Sequence, residues 1–123
     1  MTSDRVIRAA LWLSVALNLF GVVLFLGPAV GRPSSLIPLE PPPFYAAQLA
    51  WVIGLFAVAY GWLAVQPEID RPLLAVGAAG KIGFFTVSLL FWLAGHLTLQ
   101  QALQASPDLL LGGVFGWWLL STR

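Results

Sequence analysis

Lys81 and Asp108 are the residues of this chain best placed to do chemistry, because each interrupts an apolar run with a charge. Either group alone in hydrocarbon is costly, so each needs a partner or a task. Three outcomes are open to them. They form an ion pair that fixes two helices in register, or they line a ligand site or ion path in which a proton or counter-ion is exchanged. In the third, Lys81 snorkels to the headgroups on its long stem and never meets Asp108.

Helical spacing gathers further candidates around them. Gly77, Lys81, Phe84 and Ser88 recur at i, i+4, i+7 and i+11, one face of a helix, and Gln101, Gln104 and Asp108 share a face of the next. Asn18 shares a face with Ser14, Gly21 and Phe25, while Gln48 stands in the run between. Lipid tails cannot satisfy such groups, so these polar faces are expected to turn inward together. Phe84, Phe85, Trp51 and Tyr60 would add stacking surface for a ligand, with Trp51 expected between helices because it lies too deep for an interfacial belt.

The elements that must position these residues are transmembrane helices. Of 123 residues, 59% are hydrophobic and 9% charged, against roughly 25% charged in soluble domains. Four segments, 9–30, 44–65, 72–94 and 99–120, each run for about 22 residues. That is about 33 Å of helix for a hydrocarbon core of about 30 Å. Counted from Pro72 at one face and Thr98 at the other, Lys81 lies about 14 Å deep and Asp108 about 15 Å. They belong to consecutive segments joined by a short turn, so their helices are expected to be neighbours. The expected fold is all-α: an integral membrane four-helix bundle, antiparallel up-down, forming a single transmembrane domain over residues 1–123.

The connections fit that plan. Residues 31–43 hold five prolines and cannot be helical throughout, and 66–71 pack three charges and a proline into an aqueous turn. Residues 95–97 make a tight turn, after which Thr98 and Gln101 have capping-box spacing. Arg5 and Arg8 precede an apolar run of about 20 residues, longer than the 7–15 of a signal peptide, so a retained first helix is expected. Arg5, Arg8, Arg71 and Arg123 fall on one side and Arg32 on the other, which predicts an N-in/C-in arrangement with both termini cytoplasmic. Trp62, Trp117 and Trp118 fall near that inner interface and Trp92 near the outer one.

Pro107 disturbs the last segment. A kink in a continuous helix is the preferred expectation. The alternative is that Ser106-Pro107-Asp108 opens a helix, with Ser106 as N-cap. Ala79-x-x-x-Gly83, Ala57-x-x-x-Gly61 and Gly112-x-x-x-Gly116 allow close helix packing, within one bundle or across a homodimer.

What is absent narrows the function. There is no cysteine, His96 is alone in an outer turn, and no phosphate loop or nucleophile context appears, so no metal site or catalytic residue is assigned. A net charge of +1 with no basic stripe argues against a nucleic-acid partner. Small four-helix multidrug transporters place a carboxylate in the first helix, where this chain has Asn18. Taken together, Pro41-Pro42-Pro43, Tyr60-Gly61, the acidic turn with Pro67, and Gly80-Lys81 resemble a broad group of small, uncharacterised bacterial four-helix membrane proteins of DoxX-like layout. The resemblance covers about residues 9–121 and implies an inner-membrane accessory bundle, with little chemistry attached. Members tend to have glycine before the acidic residue of the last helix; this chain departs from that pattern, with Pro107 preceding Asp108.

The expected function is therefore a non-enzymatic accessory bundle, or one that binds a lipid or quinone-like molecule. The alternative is a small ion- or proton-coupled transporter acting as a dimer. A membrane enzyme using Asp108 and Lys81 as acid and base would lack a metal, nucleophile or oxyanion donor. The partners this layout admits are the lipid bilayer, a second copy of the chain and a larger membrane complex.

Overall fold

A computed structural model describes residues 3–122; Arg123, counted above with the inner charges, lies outside them. The described residues are helical with no strand: α1 (Ser3–Ala29), α2 (Pro43–Val65), α3 (Arg71–Leu93), a short α4 (Leu99–Leu103) and α5 (Ser106–Ser121). Helices α1, α2 and α3 are long and apolar enough to cross a membrane.

Each boundary has a local cause. The proline-rich loop delivers Pro43 to the first turn of α2, where its missing N–H is not needed. Asp70 caps α3, its carboxylate accepting from the Leu73 N–H at 2.9 Å. Thr98 and Gln101 form the expected capping box, each side chain accepting from the other's backbone N–H. Helices α1 and α3 end alike, in Gly31 (φ 79°) and Gly95 (φ 86°), left-handed positions that favour glycine. Around them the Arg32 N–H bonds the Gly27 carbonyl and the His96 N–H bonds the Phe91 carbonyl, closing the same C-terminal motif twice.

The last segment departs from the continuous, kinked helix expected. It is broken: Gln104 and Ala105 turn through i→i+3 bonds, and Pro107 enters the first turn of α5. The proline cannot donate to the carbonyl one turn earlier and would clash with it, so the helix stops and restarts. Ala105, not Ser106, is the residue before the restart, and no side chain caps it. At 16 residues α5 is about 24 Å long, short of a full hydrocarbon thickness. The first helix is longer than expected, starting at Ser3 with Asp4 in its first turn, where a carboxylate favours the helix dipole.

α1 and α2 pack along each other as one hairpin, and α3 and α5 as a second; the hairpins touch more sparingly through α1–α5 and α2–α3. A buried cluster draws on all four of these helices, with Leu11, Tyr60, Leu74 and Phe115 among its members. It lies towards the end that carries Arg8 and Arg71. Outside, large apolar side chains such as Trp12, Val23, Val58, Trp62 and Leu110 stand exposed, far more than a water-facing surface tolerates in one girdle.

Candidate functional site

Lys81 and Asp108 meet. The Lys81 Nζ donates to Asp108 Oδ1 at 3.0 Å; the lysine is 3% exposed and the aspartate 19%. Three features make the meeting feasible. The break before α5 puts Asp108 in that helix's first turn, where the helix dipole favours an anion. Gly112, one turn further on, lets α5 approach α3 closely: a Cβ there would lie 2.8 Å from Ile82 Cγ1 and 3.1 Å from Lys81 Cβ. Tyr60 of α2 supplies the third, its ring centroid 4.9 Å from Nζ, an electron-rich face under the ammonium.

Tyr60 is itself held in place. A side chain at Gly77 would fall 2.9 Å from its ring, so the glycine makes room for it, and the hydroxyl reaches the Gly77 carbonyl at 3.5 Å. Phe115 and Phe56 pack on the ring at centroid distances of 5.7 and 6.1 Å. The charges are thus compensated within one small polar nest at the upper edge of the buried cluster. An ion pair of this kind stabilises little against an apolar substitute, but losing one partner is expensive.

The other candidates are dispersed. The Asn18 Nδ2 donates to the Ile53 carbonyl at 3.0 Å, tying α1 to α2 rather than joining the charged pair. The Ser88 hydroxyl bonds the Phe84 carbonyl within its own helix at 3.2 Å, and Phe84 is exposed. Gln48 and Gln104 are exposed as well, so the polar faces do not all turn inward. Trp51 does not pack between helices: it is 73% exposed. The small residues Ala46, Ala50 and Ala57 form the buried face of α2, which leaves Trp51 and Gln48 on its outer sides. There they line a shallow groove with Phe44, Ala47 and Val52.

Two cross-linking residues were hidden among the topology charges. The Arg8 guanidinium donates to the carbonyls of Ala64 (2.7 Å) and Pro67 (3.1 Å) at the end of α2. Arg71 donates to the carbonyls of Leu119 and Thr122 at the end of α5, and lies 5.3 Å from the Trp118 ring centroid. The sequence did carry a signal: neither α2 nor α5 has a basic residue in its last turn, so their terminal carbonyls needed donors from elsewhere.

No protein-family model, curated protein or solved structure matches this chain. The site's chemistry therefore rests on its geometry.

Proposed function

We propose that this chain is a small integral membrane protein of the bacterial cytoplasmic membrane, a four-helix antiparallel bundle with both termini cytoplasmic. In this reading it works without catalysis, as an accessory bundle that binds a lipid or quinone-like molecule. The apolar girdle supports membrane insertion, and the clustering of Arg5, Arg8 and Arg71 at one end supports the orientation.

One observation carries the ligand. Between α2 and α3 lies an open groove of about 380 Å³, lined by Leu55, Phe56, Val58, Trp62, Leu73 and Val76. That is the size range of small-molecule sites, and the lining is almost wholly apolar. Its wall is connected to the charged pair: Phe56 packs on Tyr60, and Tyr60 carries the Lys81 ammonium. An isoprenoid or acyl tail suits so apolar a groove.

Mass spectrometry of protein extracted in mild detergent tests this. A lipid or quinone-like species should co-purify with the parent chain and be depleted when Val76→Trp fills the groove. Protein that carries no such species, or carries it equally in the variant, would count against the reading.

The partial exposure of Asp108 beside a buried lysine favours a second reading, a proton- or ion-coupled transporter acting as a dimer. Flux in liposomes that survives Lys81→Met with Asp108→Asn would exclude a mechanism through the pair.

A further inference from the structure

We infer that this chain is a tandem repeat of one helical hairpin, with the second hairpin serving as the first one's partner surface across a two-fold axis along the bundle. The inference is independent of the ligand reading. It rests on polar contacts that recur at fixed register.

Arg71 follows Arg8 by 63 residues, and Lys81 follows Asn18 by the same 63. Their partners on the second helix of each hairpin shift by a different constant: Asp108 follows Ile53 by 55, Leu119 follows Ala64 by 55, and Thr122 follows Pro67 by 55. Thus Arg8 binds the carbonyls of residues 64 and 67, and Arg71 binds those of their counterparts, 119 and 122. In the same register, Asn18 bonds Ile53 and Lys81 bonds Asp108. The difference of eight residues between the two shifts falls between the paired helices, where the first hairpin has the 13-residue proline-rich loop 30–42 and the second the 5-residue turn 94–98, α4 corresponding to the start of α2.

Packing obeys the same correspondence. Leu11 and Leu74 are equivalent and both fully buried. Gly61-Trp62 recurs as Gly116-Trp117, each tryptophan facing outward. Tyr60 and Phe115 are equivalent, and they touch each other. Two equivalent residues can meet only near the axis that relates them, so this contact locates it. The α1–α5 contact is the counterpart of the α2–α3 contact, as a two-fold requires. Both arginines sit at the same end, so the repeat is of the parallel kind, with its axis along the bundle.

One position breaks the equivalence in kind. Where the first hairpin links its helices by an uncharged amide to a carbonyl, the second uses an ammonium and a carboxylate. The scaffold therefore requires a polar cross-link at this position, not a charge. The charge is an addition specific to the second half.

The test transplants one solution onto the other in the full-length chain. Lys81→Asn combined with Asp108→Ile should melt within about 3 °C of the parent, while each single change lowers the midpoint by about 10 °C or more. A double variant that melts no higher than the weaker single would overturn the inference. Cysteine pairs supply a second measurement that does not depend on tolerance of the swap. A Cβ at Gly61 would lie 3.7 Å from Val15 Cγ2; the same register pairs Gly116 with Ala78, which has no γ-carbon to make that contact and leaves nothing within 4 Å of a Cβ at Gly116. Disulfides at 15/61 and at 78/116 should form with comparable yield in this cysteine-free chain, and formation of one without the other would also overturn the repeat.

Discussion

Removing either partner of the Lys81–Asp108 pair strands the other in an apolar setting, and that asymmetry sets the expected effects. Lys81→Ala and Asp108→Ala should each cost about 3–5 kcal/mol, and the double variant should recover part of the loss. Unfolding titrations in detergent micelles would measure this; independent, additive costs would mean that the contact contributes nothing. Gly112 makes a sharper test of the close approach. Gly112→Ala should destabilise by about 1–3 kcal/mol through overpacking against Ile82 and Lys81. Gly113→Ala, where nothing lies within 4 Å, should be neutral or slightly stabilising through helix propensity. The pair itself was legible because depth along a helix can be counted from its ends. Tyr60 as the ammonium's aromatic support was not, since an aromatic near a helix end reads equally as an interfacial anchor. Nor was the fate of Gln48 and Trp51: rotation about α2 is decided by where its alanines meet α1, and the hydrophobic pattern of so apolar a helix gives no direction.

At the scale of elements, the helix ends were partly written in the sequence. Proline at the starts of α2 and α5, the Thr98–Gln101 box and the glycines after α1 and α3 all act through local stereochemistry, so spacing alone reveals them. Arg8 and Arg71 each act across their own hairpin, on carbonyls more than forty residues away; the sequence shows that the ends of α2 and α5 lack a basic residue, but not which arginine supplies the donors. Arg8→Ala and Arg71→Ala should each remove charge-assisted bonds worth about 1.5–3 kcal/mol. Lysine should restore only part, because a single ammonium cannot reproduce the forked geometry. Thermal midpoints of the four variants would decide; full rescue by lysine would leave only the positive charge as the cause. Where Pro107 ends one helix and begins another, its stereochemistry was plain from sequence, yet the choice between kink and break was not, because neighbouring groups can re-satisfy the carbonyls that a proline frees.

For the whole molecule, the helical class followed from composition, because runs this apolar have few other ways to satisfy their backbone. The neighbouring of the last two segments followed from the short turn between them; the relation between the two hairpins was hidden. The counterparts share geometry more than residue type, asparagine standing for lysine and isoleucine for aspartate, so a comparison of letters sees little. Topology is open to direct measurement, since the chain has no cysteine of its own. With both termini cytoplasmic, Ser35→Cys should react with an impermeant maleimide added outside intact cells, and Glu68→Cys only after lysis. The opposite pattern would invert the bundle.

The lopsided placement of the buried cluster has a mechanical meaning. The buried cluster shared by all four helices and the Tyr60–Phe115 contact sit at one pole, so the hairpins are fastened there and comparatively unlatched at the other, like the jaws of a clothes-peg. Spin labels on α1 and α3 near Leu26 and Leu89 should therefore report a broader spread of separations than labels near Trp12 and Ala75. Bilayer thickness or lateral pressure would then act on the width of that opening.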